Sequence, residues 1–290
     1  MEKEVQRLKK EIVRLKDKIL HLEHRLARQD VTVVSILRQK GFNLIQYNPD
    51  RGLLLSPQVE ARVEGHFYHL MGRYSFRLFL RDLITHQKHF TLKDLTRYCS
   101  PRIAANYLRF LEEIGLVARL DRGGYALGLK SVSSIGPTLE WFVARVFIRE
   151  FEAPAIYGVK FRETPHGGDY DVIACLDNRL AYVEVKSSPP KGVEAADVRA
   201  FYQRLEDLSP HLAFFLVDTE LRMKDKIVPL FEEEISRLYG VEGRKQRPVV
   251  RLKEELFHIN HNLFIVNSKK GLATNLKTCL RHYQRQKFSF

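Results

Sequence analysis

Cysteine is scarce in this sequence, which has three cysteines in 290 residues, at Cys99, Cys175 and Cys279. Their odd number and wide separation leave no Cys-x-x-Cys pair, which excludes cysteine zinc ribbons and redox chemistry of the thioredoxin type. We expect three buried, reduced thiols and therefore a cytoplasmic protein.

Long apolar runs are also missing. No run approaches the roughly 20 apolar residues that a membrane-spanning helix needs, and the chain is densely charged from its second residue, unlike a signal peptide. We therefore expect neither a membrane span nor a secretion signal. With 44% apolar residues the chain can bury sizeable cores, and its length suggests about two domains.

Acidic residues are outnumbered, because 35 Asp and Glu stand against 48 Lys and Arg and leave a formal net charge of +13. Residues 241–290 hold 11 basic and 3 acidic residues, so they contribute +8 of this excess. A polyanion is the first partner to consider, with nucleic acid ahead of an anionic membrane surface. An ordinary solvated basic surface is the alternative.

Residues 1–29 carry apolar side chains at alternating steps of three and four residues. With Val or Ile mostly at heptad position a and Leu at position d, the pattern favours a parallel two-stranded coiled coil. The charges at the flanking positions of two parallel copies are complementary, so we expect a homodimer through residues 1–29. An amphipathic helix packed on the chain's own body would need a wider apolar face. The heptad residues are Val5, Leu8, Ile12, Leu15, Ile19, Leu22 and Leu26.

Residues 30–65 are expected to connect this helix to the rest of the chain. Asp30 can cap a short helix over 31–40, which Gly41 ends. The following segment "FNLIQYNPDRGLLLS" predicts a hairpin around residues 48–52.

Residues 66–132 change to a pattern of three helices and a hairpin. A long helix is expected to about residue 87, and a short one in "TLKDLTRYC" that Thr91 caps. The third helix starts with Ser100 as N-cap and Pro101 in its first turn, and two short strands around residues 121–124 follow it. The third helix is expected to bury Ile103, Tyr107, Leu111 and Ile114.

The stretch "LRFLEEIGLVARLDRGGYALG" resembles the end of the recognition helix and the wing of a winged helix-turn-helix domain. In that family the N-terminal residues of the recognition helix contact bases in the major groove. The resemblance therefore implies DNA contacts, although a winged helix that only binds protein or links domains is the alternative. The candidate contact residues are Arg102, Asn106 and Arg109 on the helix and Arg119 and Arg122 on the wing.

Residues 136–290 are expected to form an α/β domain with a basic C-terminal extension. Its first elements follow in the order αβββαβ, and further elements come after them. The predicted elements are a helix at 137–150, a strand at 155–163, a hairpin at 169–186, a helix at 195–208, a strand at 211–218, a helix at 224–239, a strand at 262–268 and a helix at 272–286.

The hairpin "DYDVIACLDNRLAYVEVKSS" places acids and a lysine on a face that could be buried. If Asp177 and Asn178 occupy a two-residue turn, the numbers of facing residues sum to 355, so Asp171 lies opposite Glu184. Strand alternation then puts Lys186 on the same face as both acids, and only apolar residues on the other face. The Cβ atoms of facing residues are about 5 Å apart.

Two carboxylates that close repel each other unless a proton or a cation lies between them. A hard cation such as Mg²⁺ or Mn²⁺ suits Asp171 and Glu184, completed by a backbone carbonyl and waters. Lys186 could orient or deprotonate a water on this ion and stabilise the charge that builds during phosphodiester hydrolysis. A surface salt bridge between Lys186 and one acid is the alternative.

An acid on the second strand followed by Glu-x-Lys on the third, within the order αβββαβ, is similar to the PD-(D/E)XK, or restriction endonuclease-like, nuclease superfamily. The resemblance covers about residues 136–218. It implies a mixed sheet, metal ligands at Asp171 and Glu184, a catalytic Lys186, a supporting Glu140 from the first helix, and hydrolysis that leaves a 5′-phosphate.

Two residues leave the membership of this site open. Asp169 competes with Asp171 for the role of first acid, and no proline precedes Asp171 as the family motif would have it. Gln203, on the helix after the motif, is a further polar candidate, although an exposed helical glutamine is the simpler interpretation.

These patterns together predict a metal-dependent endonuclease that a winged helix directs to double-stranded DNA and a coiled coil makes dimeric. A DNA-binding transcription regulator with an inert nuclease-like domain is the main alternative. A nuclease for RNA or branched DNA is another, because proteins that recognise nucleic-acid shape need no aromatic RNA-binding signature.

Overall fold

The structure is a computed structural model, and it describes residues 6, 11–12, 15–16, 32–56, 58–121, 123–128 and 132–287. The predicted coiled coil at residues 1–29 falls outside the described residues apart from the five scattered positions. Arg122 also lies outside them.

The described part of the chain has a mixed α/β fold, the class that the sequence predicts. The helices are α1 (Ala61–Met71), α2 (Tyr74–Thr85), α3 (Pro101–Glu113), α4 (Gly136–Phe151), α5 (Ala195–Leu208), α6 (Ile227–Gln246) and α7 (Leu272–Lys287), with short 3₁₀ helices at Leu92–Leu95 and Pro190–Gly192. The strands are β1 (Leu44–Gln46), β2 (Val117–Arg119), β3 (Tyr125–Leu127), β4 (Ala155–Phe161), β5 (Asp169–Leu176), β6 (Arg179–Lys186), β7 (Leu212–Val217), β8 (Val250–Lys253), β9 (Leu256–Ile259) and β10 (Leu263–Val266). None of these helices is long and apolar enough to cross a membrane.

One large sheet organises the fold. Its strands lie in the order β1-β4-β5-β6-β7-β10-β9-β8. Strand β7 runs parallel to both of its neighbours, β6 and β10, and the remaining adjacent pairs are antiparallel. The sheet is therefore mixed.

Helices cover both faces of this sheet. On one face, α4, α7 and α1 to α3 share a core with Val172 and Val183 of the β5–β6 hairpin. On the other face, α5, α6 and the helical residues 32–39 share a core with Ile173 and Tyr182. Because the middle of the hairpin is buried on both faces, a charged group there, such as Glu184, is shielded from water.

The connecting segment differs from the prediction after its helix. Residues 32–39 are helical and Gly41 follows with a φ of +90°, as expected for a glycine that ends a helix. The hairpin predicted at 48–52 is wrong, because β1 pairs with β4, far along the chain. The Asn48 N–H donates to the Tyr157 carbonyl at 2.8 Å, and Asn48 Oδ1 accepts from the Tyr157 N–H at 3.0 Å. A distant strand thus supplies the partners that a local turn would have supplied.

The long helix predicted to about residue 87 is two helices. Helix α1 ends at Met71, Arg73 has an extended conformation (φ −90°, ψ 122°), and α2 begins at Tyr74. The break brings Phe67 and Phe76 together edge to face, with their ring centroids 5.8 Å apart. Both helices can therefore bury their apolar faces in one core.

The short helix in "TLKDLTRYC" is a 3₁₀ helix, and its Thr91 cap is confirmed, since Thr91 and Asp94 form a reciprocal capping box. Ser100 caps α3 as predicted, because its Oγ accepts from the Ile103 N–H at 3.4 Å. Strands β2 and β3 pair antiparallel where two short strands were expected. Most of the local capping and turn chemistry of this region is therefore present.

The core-facing side of α3 is only partly as predicted. Tyr107 and Leu111 are buried, Ile114 is half-buried, and Ile103 is 41% exposed. The prediction is wrong for Ile103 because the neighbouring Ala104 is the residue of the first turns that enters the core.

The C-terminal region also differs from the prediction. The sequence pattern did not predict β8 and β9, and α6 continues past the expected end at residue 239 through a kink at Gly240.

A buried ion-pair network joins the helices to the sheet. Arg77 of α2 is fully buried and donates from Nε and Nη2 to Asp218 Oδ1, at 3.0 and 2.8 Å. Arg81 donates to Asp218 Oδ2 at 2.7 Å, and the Ser268 hydroxyl donates to Asp218 Oδ1 at 2.5 Å. Asp218 follows the last residue of β7, so the network fixes α2 to that end of the sheet.

Candidate functional site

The hairpin of β5 and β6 positions the candidate carboxylates. Asp177 and Asn178 form its turn with φ values of +49° and +59°, the left-handed conformation that a type I′ turn requires. The five cross-strand pairs between Val172–Val183 and Leu176–Arg179 all follow the predicted register. The register is therefore confirmed for these pairs.

Asp171 lies beyond the last of these pairs. Its Oδ2 accepts a hydrogen bond from the Val185 N–H at 2.6 Å, so this carboxylate meets the backbone of β6 directly. The predicted alternation of side chains between the two faces of the sheet is wrong at Asp171. Tyr170 and Val172, two residues apart, should share a face, but they lie in the cores on opposite faces. Strand β4 changes face at Gly158, whose φ is +56°. The regular ladder of the hairpin thus ends where the acids begin.

Glu184 is the centre of the cluster. It is buried, with 2% of its surface exposed. The Tyr182 hydroxyl donates to its Oε2, Lys186 Nζ lies 3.0 Å from its Oε1, and Arg204 Nη1 lies 3.3 Å from its Oε2. A buried carboxylate with two cationic partners and a hydroxyl donor is held in one position.

Lys186 is fixed between two carboxylates. Its Nζ donates to Asp197 Oδ1 at 2.7 Å and also contacts Glu184. Burial alone would lower the pKa of Lys186, but the attraction of Glu184 and Asp197 outweighs it, and the pKa lies above the ordinary lysine value. Lys186 therefore remains an ammonium ion at neutral pH.

Glu140 reaches the same cluster from α4. A Cβ built on Gly158 would lie 3.8 Å from Glu140 Oε2, which puts this carboxylate beside the irregular point of β4. Burial, followed by the negative charges of Asp171, Glu184 and Asp169, raises the pKa of Glu140 to about 9. Burial and the Glu184 charge raise the pKa of Asp171 to about 8. Shifts in this direction are expected for carboxyl groups that share a buried cluster.

The two undecided residues occupy other positions. Asp169 pairs across the sheet with Lys160, whose Nζ lies 3.1 Å from its Oδ2, instead of facing Lys186. Asp169 still adds to the repulsion that Glu140 feels. Gln203 lines a separate groove with Arg199 and Glu234.

Sequence reasoning missed the residues that hold Glu184 and Lys186. Arg204 and Asp197 both lie on α5, and Tyr182 lies two residues before Glu184 on β6. A signal was present for Asp197, since it completes a capping box with Glu194 at the start of α5. Nothing in the spacing distinguished Arg204 from Arg199, the other basic residue of that helix.

The candidate DNA-contacting residues lie apart from the carboxylates. Arg102, Asn106 and Arg109 are exposed and follow one another at helical spacing on α3. Arg119 is exposed and paired with Glu112, with its Nε 2.5 Å from Oε1. Three side chains of α3 are therefore accessible to a partner, and one of the wing candidates is committed to an intrachain ion pair.

Metal-free protein should lose stability as the pH rises, because the raised pKa values of Asp171 and Glu140 keep protons on the folded state that the unfolded chain has lost. From near the ordinary value of 3.8 up to about 8, Asp171 binds more protons when folded, so the free energy of unfolding falls over that range. The slope is up to about 1.4 kcal/mol per pH unit for each proton.

Urea unfolding in the presence of a chelator measures this slope. We expect Asp171→Asn to flatten it and the exposed control Asp121→Asn to leave it unchanged. An identical pH dependence in wild type and Asp171→Asn would contradict a raised pKa of Asp171 in the folded protein.

No protein-family model matches the sequence, and no curated protein matches it. Among solved structures, the chain is similar to protein VC1899 from Vibrio cholerae, with 15% identity and a TM-score of 0.42, over 79% of this chain and 57% of that one. It is also similar to Can2 from Sulfobacillus thermosulfidooxidans in complex with cyclic tetra-adenylate, with 11% identity and a TM-score of 0.42, over 77% of this chain and 55% of that one. The chain thus spans little more than half the length of either structure, and we base the functional proposal on its own residues.

Proposed function

We propose that this chain is a metal-dependent phosphodiesterase that hydrolyses nucleic acid. The observation that carries the proposal is the convergence of Glu140, Asp171 and Glu184 beside the ammonium group of Lys186. These residues come from the helix, the second strand and the third strand of the segment that resembles PD-(D/E)XK nucleases. Their arrangement agrees with the roles that the resemblance implies.

A divalent cation fits these residues. Burial and mutual repulsion raise the pKa values of Asp171 and Glu140, so a positive charge between the carboxylates would relieve a strain already present. Within the described part of the chain, the Glu140 carboxylate has no hydrogen bond or ion pair. Carboxylate oxygens are the ligands that Mg²⁺ and Mn²⁺ prefer. Asp171 and Glu184 would hold the ion, and Glu140 would support it or its waters.

The surrounding side chains have separate tasks in this proposal. A bound divalent cation supplies an activated water and neutralises charge on the phosphate. Arg204 and Tyr182 keep Glu184 in place, and Asp197 holds the Lys186 ammonium group. An ammonium group has three donors, and Glu184 and Asp197 accept from two of them. The third can donate to a phosphate oxygen as negative charge builds in the transition state.

Double-stranded DNA is the substrate that we propose. The net charge of +13 and the exposed row of Arg102, Asn106 and Arg109 on α3 suit a polyanionic duplex. A homodimer through residues 1–29 would supply a second site for the second strand. Ile12 and Leu15, an a and a d residue of the heptads, are about half exposed in the single chain, which supports a partner helix there. The free cysteines suit a cytoplasmic protein.

DNA binding without cleavage is the second candidate function. The exposed residues Arg102, Asn106 and Arg109 of α3 favour it, because they are not part of the carboxylate cluster. They could contact DNA even in a protein whose carboxylate cluster is inert. Such a protein would be a transcription regulator. RNA or branched DNA remains an alternative substrate for the cleavage function.

The proposal is tested by incubating the full chain with linear, supercoiled and branched DNA and with RNA, with Mg²⁺ or with a chelator. We expect Mg²⁺-dependent cleavage that leaves 5′-phosphates, and its loss in Asp171→Asn. Arg109→Ala should weaken DNA binding and leave cleavage of a saturating substrate intact. Tight binding with no cleavage of any substrate would overturn the proposal in favour of the regulator.

A further inference from the structure

Three histidines form a cluster far along the chain from the carboxylates. His258 lies on β9, His261 in the loop between β9 and β10, and His282 on α7. One ring nitrogen of each can be chosen so that all three lie within 4.8 Å of one another. The ring centroid of His258 lies 4.5 Å from that of His261 and 4.7 Å from that of His282. Three elements thus bring their imidazoles to one point.

One nitrogen of the cluster lacks a partner. His258 is 4% exposed, and its Nδ1 is buried without a hydrogen bond in the described part of the chain. An unsatisfied buried polar atom costs about 1–3 kcal/mol. Stacking alone explains the ring contacts, but it leaves this nitrogen unpaired. A ligand bound to this nitrogen would satisfy it.

The ring nitrogens of the other two histidines lie near the distance from each other that a shared metal ion requires. His261 Nδ1 lies 2.8 Å from His282 Nε2. Two nitrogens bound at about 2.0–2.1 Å to a tetrahedral ion lie roughly 3.3 Å apart. This contact would therefore need to open by about 0.5 Å to admit an ion.

The imidazoles of the cluster are in the form that binds metal. Burial, followed by the neighbouring His261 and His282, lowers the pKa of His258 to about 4, and burial, followed by His261 and Arg285, lowers the pKa of His282. Both rings are neutral at pH 7, and a neutral imidazole is the form that binds metal.

We propose that His258, His261 and His282 bind one transition-metal ion of the Zn²⁺ class. Imidazole nitrogens suit Zn²⁺, Co²⁺, Ni²⁺ and Cu²⁺, whereas Mg²⁺ prefers oxygen. Three protein ligands leave a fourth tetrahedral position for water or another ligand. The ion would tie α7 to the loop at the β9–β10 end of the sheet. The site is separate from the carboxylate cluster and does not depend on the phosphodiesterase proposal.

The test uses the full chain, freed of metal by a chelator, with Zn²⁺ added in calorimetry and Co²⁺ in visible absorption. We expect one Zn²⁺ per chain at this site and the absorption bands of tetrahedral Co²⁺. Because His261 is exposed and His282 half-buried, His261→Ala and His282→Ala should fold, which circular dichroism checks. Removing a residue that hydrogen-bonds to a metal ligand lowers metal affinity by about 10-fold to 100-fold, so removing a ligand should lower the Zn²⁺ affinity at least as much.

Two matched variants make the result specific. His69→Ala removes an exposed histidine of α1 and should bind Zn²⁺ as the wild type does. Glu184→Gln should also keep Zn²⁺ binding, so failure of the carboxylate site and failure of this one are distinguishable. Zn²⁺ should raise the melting temperature of the wild type and not that of His282→Ala. Absence of stoichiometric Zn²⁺ binding, or equal affinity in His282→Ala and the wild type, overturns the proposal.

Discussion

Replacing Lys186 with methionine is expected to lower the single-turnover rate of DNA hydrolysis by about 100-fold to 1,000-fold, the usual cost of removing one preorganised group that stabilises transition-state charge. Methionine keeps most of the side-chain length and removes the ammonium group that lies between Glu184 and Asp197. Since Lys186 is not a metal ligand, the affinity for Mn²⁺ should be unchanged or higher.

Two comparisons separate this effect from a general loss of basic charge. Lys191→Met removes an exposed lysine shortly after the hairpin and should cut DNA at the wild-type rate. Glu184→Gln should lose both cleavage and Mn²⁺ affinity, because Glu184 is a proposed ligand. If Lys186→Met cuts as fast as Lys191→Met, Lys186 has no part in the chemistry.

Replacing Arg77 with methionine is expected to lower the free energy of unfolding by about 3 kcal/mol, the low end for breaking a buried ion pair, because the buried Asp218 loses both hydrogen bonds from Arg77 and keeps Arg81 as a cationic partner. Arg77 and Asp218 are both fully buried, and two nitrogens of Arg77 donate to the same Asp218 oxygen. Arg77 Nη1 also donates to the Met71 carbonyl at 2.6 Å, so α1 would lose a contact too. Urea unfolding measures the change.

A double-mutant cycle isolates the ion pair from the packing. Arg77→Met with Asp218→Asn should be less destabilised than the sum of the single variants, because both substitutions remove the same Arg77–Asp218 pair. The exposed pair of Arg222 and Asp225 is the control, and Arg222→Met should change stability by less than about 1 kcal/mol. A similarly small change for Arg77→Met would show that the network does not hold α2 to the sheet.

The hairpin could be predicted from the sequence because its register depends on neighbouring residues. The Asp-Asn turn adopts positive φ values, and the turn then fixes which residues face each other. The same local reasoning failed one step further, at Asp171, because Gly158 on a different strand changes the face of the adjoining backbone. The alternation of side chains can be inferred from one strand alone, whereas its interruption at Asp171 depends on both β4 and β5.

Contacts between residues that are far apart in the sequence could not be predicted from local sequence patterns. The pairing of β1 with β4 cannot be inferred from the turn-like residues 48–52, because those residues would suit a local turn equally well. Arg204 joins Glu184 only because α5 packs on the sheet at that point. The histidine cluster was missed for the same reason, since His282 lies on another element than His258 and His261.

A Mn²⁺ titration of the chelator-treated full chain tests whether Asp171 and Glu184 hold a divalent cation, as we propose. The titration is carried out in the His261→Ala/His282→Ala background, so that the histidine cluster does not contribute. We expect Mn²⁺ to bind in that background, and its affinity to fall by about 10-fold or more when Asp171→Asn is added. Equal Mn²⁺ affinity with and without Asp171→Asn would contradict the proposal.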